Sequence, residues 1–333
     1  MAERFGIAED GTDVLRVVIE RDGLTVNLLT LGAVLQDMRL TGHDHPLVLG
    51  YPDLQPYLRN PNYFGATVGR FANRLRNGMA EIDGKPFQMD RNTPQGHQLH
   101  GGRDGTATHN WNIAESAPTH VSFDLRLEDG HMGFPGALDV RAIYRILPEQ
   151  TLEIEICAQT DAPTLCSFAH HSYFNLNGDR TVKGHKLKVL ADTFLPVHND
   201  GIPTGKIADV SGTSLDFRTG RVLGDEPIYD HNLCLSDHRG DLRHVAELTG
   251  TGNGVALSLA TTEPGLQVYT GQGIEQGGAI GLNGAPYGPG AGVALEPQLW
   301  PDAPNNTGFP PATLEPGQVY RQVSQFSFRK PVF

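Results

Sequence analysis

Apolar and polar side chains alternate with a period of two through much of the chain. Val121, Phe123, Leu125 and Leu127 are interleaved with Ser122, Asp124 and Arg126, and Leu138, Val140, Ala142, Tyr144 and Ile146 repeat the pattern. Leu152, Ile154 and Ile156 do so again around Glu153 and Glu155. Successive side chains of a strand point to opposite faces, so each run predicts a strand with one face in a core. Further strands are expected over 26–31, 186–190, 255–259, 266–270, 293–296 and 322–328. Asp83-Gly84, between Ala80-Glu81-Ile82 and Phe87-Gln88-Met89, reads as a tight hairpin turn. Helical periodicity is scarce: residues 53–58 suggest one short helix, and the Gly/Pro-rich stretch 277–292 reads as a surface loop. The pattern predicts an all-β protein, one large β-sandwich with loops lining a groove and very little helix.

Composition agrees with that architecture, since 40 Gly and 23 Pro in 333 residues supply many turns. The formal net charge of −12 argues against nucleic acid or an anionic membrane as partner, because both would repel the chain. Cys157, Cys166 and Cys234 are odd in number and lack C-x-x-C spacing, which predicts reduced thiols in a cytoplasmic protein. The amino terminus has no apolar run after a basic start, so no signal peptide is expected. Nowhere do the ~18 uncharged apolar residues of a spanning helix run together.

Candidate chemistry lies in a few polar clusters on this β background. Ala169-His170-His171-Ser172-Tyr173-Phe174-Asn175-Leu176 sets two imidazoles among apolar and aromatic residues. Histidine exchanges a proton near neutrality, its ordinary pKa being ~6.5. Leu295-Glu296-Pro297-Gln298 supplies a carboxylate that ends an apolar run, where burial would disfavour its charge. The loop beyond it, Trp300-Pro301-Asp302-Ala303-Pro304-Asn305-Asn306, has the composition of a rigid, shaped turn. Gly69-Arg70-Phe71-Ala72-Asn73-Arg74 offers guanidinium and amide groups, Gln98-Leu99-His100-Gly101-Gly102 a histidine beside a glycine pair, and Tyr229-Asp230-His231-Asn232 an acid, an imidazole and an amide. Taken singly, each is as well explained by surface ion pairs, a satisfied structural histidine or a self-capping loop.

Together the clusters resemble the aldose 1-epimerase (galactose mutarotase) family. The matching segments are G-R-F-A-N-R at 69–74, L-H-G-G at 99–102, H-S-Y-F-N-L at 171–176, Y-D-H-N at 229–232, Q-V-Y-T-G at 267–271 and L-E-P-Q at 295–298. The resemblance implies a single β-supersandwich domain spanning residues 1–333, with the sugar in an open groove. It implies His171 as proton donor, Glu296 as base, and Asn73, Arg74, His100, Tyr173, Asp230 and Gln267 as residues that hold the sugar. His170 is then a structural neighbour. The expected partner is a small-molecule aldose (glucose, galactose or a pentose), with no cofactor and no metal, the chain acting as monomer or homodimer. At neutral pH such a pair needs a charged His171, and Asp230 is a candidate carboxylate to hold it so.

Four other readings compete. A hexose-6-phosphate 1-epimerase would need extra cations for the phosphate. A glycoside hydrolase would draft Asp230 and Glu296 as its two carboxylates, leaving His171 unused. A metal hydrolase could use His100, His170, His171 and His231, although no H-x-x-x-H spacing occurs. A non-catalytic sugar-binding module would use the same groove but has no need of a matched acid and base.

Overall fold

In a computed structural model, which describes residues 2–59, 62–252 and 254–329, strands dominate. The largest sheet has nine strands, in the order Asn112–Ala117, His120–Leu127, Leu138–Leu147, Thr151–Thr160, Tyr320–Arg329, Ala256–Thr261, Arg243–Thr249, Lys186–Val189 and Arg221–Val222. Its alternation follows the sequence pattern: in Leu138–Leu147 the positions 138, 140, 142, 144 and 146 are buried and those between them are not. Glu155 departs from the pattern, being buried between Arg145 Nη1 and Arg321 Nε, each 2.6 Å from a carboxylate oxygen. The ion pairs replace the water that a carboxylate otherwise requires.

A six-stranded sheet lies in the order Tyr173–Phe174, Val293–Gln298, Gly265–Tyr269, Asp230–Cys234, Thr193–Phe194 and Ala208–Asp209. Its two faces differ sharply. Phe174, Val293, Leu295, Leu266, Val268 and Leu233 join the main core with Phe123, Tyr144, Leu152 and Phe326 of the large sheet. Burial of such side chains contributes roughly 1.5–3 kcal/mol each. The residues between them, Tyr173, Glu296, Gln267, Tyr269 and Asp230, therefore face the opposite way. A four-stranded sheet built from Glu3–Ile7, Asp13–Arg21, Leu24–Leu29 and Leu35–Leu40 packs beside these two.

The 53–58 helix shortens to Gln55–Leu58. Asp83-Gly84 closes a hairpin of Met79–Ile82 and Lys85–Gln88, with positive φ at both turn residues. The 277–292 stretch is only partly a surface loop. Tyr287 within it is buried, and its hydroxyl donates to Gly50 O at 3.0 Å. Among the described residues no helix is long and apolar enough to cross a membrane.

Candidate active site

Strand register assembles half of the site. Gln267 stands directly opposite Glu296 on one side and Asn232 on the other, and Tyr269 stands between Asp230 and Ala294. Tyr173 continues that second row as the partner of Ala294. Directly paired residues share a face, as do residues two apart, so Glu296, Gln267, Asp230, Tyr269 and Tyr173 form one polar and aromatic floor. The same parity turns His231 the other way, onto Phe194 at a ring distance of 6.2 Å, with Nδ1 accepting the Asp230 N–H at 3.3 Å.

The facing wall comes from connecting segments. Ala169–His170 pairs with Thr67–Val68, and His171 continues that ladder by donating its N–H to Ala66 O at 2.9 Å. Asn73 and His100 both have positive φ and hold each other: His100 N–H donates to Asn73 O at 3.1 Å, and Asn73 N–H donates to His100 Nδ1 at 3.2 Å. Asn73 Oδ1 accepts the Arg74 N–H at 2.8 Å, which leaves its amide hydrogens for a ligand. The loop after Glu296 braces this wall. Asp302 N–H donates to Arg74 O at 2.9 Å, and Asp302 Oδ1 accepts the Arg76 N–H at 2.8 Å. A side chain at Gly201 would lie 2.8 Å from the Arg74 guanidinium, so the absence of a Cβ there gives that group its place.

These two halves enclose a cavity of about 220 Å³ lined by Asn73, Arg74, His100, His171, Tyr173, Asp230, Gln267 and Glu296, together with Asn62, Tyr63, Leu99, Tyr269 and Gly273. All eight residues singled out from the sequence are thus brought together. A larger neighbouring cleft, about 540 Å³, shares Tyr63 and His100 but has no paired buried acid and base among its described lining residues. The smaller cavity is the one that brings a buried carboxyl and a buried imidazole together.

His171 Nε2 lies 3.5 Å from Glu296 Oε2, and both side chains are almost fully enclosed, at 6% and 2% exposure. Burial pulls His171 down to about 4. Glu296 is pushed well above the usual carboxylate range, first by burial and then by the charge of Asp230, with Arg74 opposing. Burial penalises an isolated charge on either group, so the pair is most comfortable with one proton between them and no net charge. Among the described residues Glu296 Oε2, His171 Nδ1 and Gln267 Oε1 have no hydrogen-bond partner, so they are available to a polar ligand.

This corrects the expectation that Asp230 holds His171 charged. Asp230 is engaged elsewhere, accepting from Gln267 Nε2 at 2.5 Å and lying 3.6 Å from Arg74 Nη2. The carboxyl beside His171 is Glu296. Arg70 also leaves the site: it is buried and donates to Gly136 O, Pro135 O and Thr164 Oγ1 at 2.8–3.2 Å. His170 is structural, bonded to Ser172 Oγ at 2.7 Å, with its imidazole pulled down to about 3 by burial.

Sequence reading missed Tyr63 and Tyr269. Tyr63 packs edge-on against His100 at 4.7 Å and tilts over His171 at 5.9 Å, while Tyr173 lies 5.0 Å from His171 on another side. Tyr269 was accessible to period-two reasoning, because it lies two residues after Gln267. Tyr63 sits in a loop where no periodicity operates.

His100, His171 and Glu296 bring one donor atom each within 4.8 Å of the others. The Asn73 N–H occupies Nδ1 of His100, however, so the neutral ring carries its proton on Nε2. That nitrogen offers a donor, which suits a hydroxyl oxygen better than a cation.

The sheet arrangement is of the galactose mutarotase type. A solved structure of a GalM/aldose epimerase homologue from C. elegans superimposes with a TM-score of 0.89 at 31% identity, covering 95% of this chain and 99% of that one. A model of the aldose 1-epimerase family matches residues 16–327, and the chain belongs to that family, an enzyme of the isomerase class. It is 36% identical to galactose mutarotase from Bos taurus over 93% of this chain and 92% of that protein. Aldose 1-epimerase from Escherichia coli (strain K12) is 32% identical over 98% of both.

Proposed function

We propose that the protein interconverts the α and β anomers of a free aldose by opening and reclosing its ring, with Glu296 as base and His171 as acid, and that the whole chain works as one domain. The observation that carries this reading is the enclosed His171–Glu296 pair, 3.5 Å apart in a cavity lined by hydrogen-bonding side chains. The anomeric hydroxyl and the ring oxygen sit on one carbon, so two groups this close can serve both.

Ring opening starts from the ion-pair form, Glu296 carboxylate and His171 imidazolium. Glu296 accepts the proton of the anomeric hydroxyl as the new carbonyl forms. The bond from the anomeric carbon to the ring oxygen breaks, its electrons go to that oxygen, and His171 supplies the proton. The pair ends as neutral imidazole and carboxylic acid, with the same single proton between the two groups. The aldehyde then turns about its first carbon–carbon bond, and the reverse transfers close the ring on the other face. Each positioned acid or base typically contributes ~10²–10⁴ in rate. Burial favours the neutral pair, while the Arg74 charge and sugar hydroxyls that donate to the Glu296 carboxylate favour the ion pair.

Asn73, His100, Gln267, Asp230 and Tyr173, with Asn62, Tyr63 and Tyr269 beside them, line the cavity with polar groups for the sugar hydroxyls. Among the described residues lining the cavity, Arg74 is the one guanidinium, and it is already beside Asp230. A neutral aldose such as glucose, galactose or a pentose fits this better than a 6-phosphate. Polarimetry on freshly dissolved α-glucose, α-galactose and α-xylose tests the proposal. Accelerated mutarotation supports it; decay at the spontaneous rate with every sugar overturns it.

A further inference from the structure

Away from the sugar cavity, three donor side chains on two turns converge. Asp104 and His109 belong to the turn-rich segment that follows His100, and His131 opens the short turn His131–Gly133. One ligand atom from each lies within 4.8 Å of the other two. His131 Nε2 is 3.1 Å from Asp104 Oδ2, and His109 Nε2 is 3.4 Å from Asp104 Oδ1. Nitrogen and oxygen ligands at ~2.0–2.2 Å from a tetrahedral Zn²⁺ stand ~3.3–3.6 Å apart; each imidazole lies near that distance from a different oxygen of the Asp104 carboxylate, while one ligand atom from each of the three residues falls within 4.8 Å of the others.

The turns are fixed by their own bonds. His109 O accepts the Gly32 N–H at 2.7 Å, His131 O accepts the Phe134 N–H at 3.1 Å, and Thr108 Oγ1 donates to Asp104 Oδ1 at 3.1 Å. The two imidazoles are largely covered, at 17% and 26% exposure, whereas Asp104 is 52% exposed and leaves one side of the cluster open to water.

We propose that Asp104, His109 and His131 bind a divalent transition-metal ion of the Zn²⁺ type, the Asp104 carboxylate lying between the two imidazoles and water completing the coordination. Two imidazoles and one carboxylate select such an ion over Mg²⁺ or Ca²⁺, which take oxygen donors. Without the ion, His109 Nε2 donates to Asp104 O at 3.2 Å and His131 Nε2 donates to Asp104 Oδ2 at 3.1 Å, so binding requires each neutral ring to move its proton to Nδ1 and turn the Nε2 lone pair to the metal. The ion joins the segment that begins directly after His100 to the turn carrying His131. Nothing in this site depends on the acid–base assignment in the sugar cavity.

Calorimetric titration of the chelator-treated protein with ZnCl₂, and separately with MgCl₂, provides the test. One Zn²⁺ bound per chain, with no Mg²⁺ signal, is expected. The paired substitution His109→Ala and His131→Ala should weaken Zn²⁺ binding by more than ~10–100-fold, the loss typical of mere supporting groups around a metal. Asp104→Asn, which preserves side-chain shape, should weaken it as well and serves if the paired variant misfolds. Because His100, His171 and Glu296 form another donor group, the titration is repeated on His171→Asn, which should bind as the native protein does. Absence of Zn²⁺ binding, or binding that survives in the paired and Asp104→Asn variants, would overturn the proposal.

Discussion

Replacing Glu296 by Gln isolates the central physical claim. The amide keeps the size of the carboxyl, so the floor formed with Gln267, Asp230, Tyr269 and Tyr173 is preserved. It cannot accept a proton from the anomeric hydroxyl, and the His171 imidazolium loses its counter-charge 3.5 Å away. Loss of one positioned base removes ~10²–10⁴ in rate, which at 1.36 kcal/mol per tenfold is about 3–5 kcal/mol of barrier. Stability should move oppositely. Burial raises the folded-state pKa of Glu296 above the ~4.3 of an unfolded glutamate. The group's favourable contribution is therefore complete below that value and is lost as pH rises toward the folded one. Gln removes this loss, so the variant should be at least as stable as the native protein at neutral pH. Polarimetric initial rates, corrected for spontaneous mutarotation, give the first quantity; urea midpoints give the second and establish that the variant is folded. A folded Glu296→Gln protein that interconverts anomers at the native rate would refute the assignment.

The pH–rate profile should be bell-shaped. Its acid limb is the second protonation of the pair, with His171 pulled down to about 4, and its alkaline limb is loss of the shared proton, with Glu296 pushed up; a flat profile between about pH 4 and 9 would remove the coupled pair. Arg74→Met should raise KM by more than it lowers kcat, because it strips the partner from Asp230 and a donor from the cavity; an unchanged KM in steady-state polarimetry counts against Arg74 as a sugar contact. Arg70→Met should instead lower stability by about 3 kcal/mol, through three lost charge-assisted hydrogen bonds. Its folded fraction should keep the native KM, and a KM shift as large as that of Arg74→Met would return Arg70 to the site.

The strands were legible in the sequence because a half-buried strand writes its burial directly into alternate positions, as Leu138 to Ile146 do. Residues that line the cavity were legible through a combination of short motifs whose order matches the family, each of them weak alone. Neighbouring residues of one motif nevertheless have different fates. Arg70 and Arg74 share a six-residue segment, yet one braces the interior and the other lines the cavity. His170 and His171 are adjacent, and only the second faces Glu296.

The amino-acid sequence by itself determined the all-β class, most of the long strands and the cast of polar residues, because periodicity and local turn chemistry are short-range properties. Only the tertiary structure decided which carboxyl stands beside His171. Asp230 and Glu296 lie on strands separated by the one that carries Gln267, and cross-strand register, a property of pairing between distant segments, gives Asp230 to Arg74 and Gln267 while leaving Glu296 enclosed with the imidazole. The protonation of that pair was likewise beyond local reading, since a group's charge depends on how much water the folded chain excludes from it.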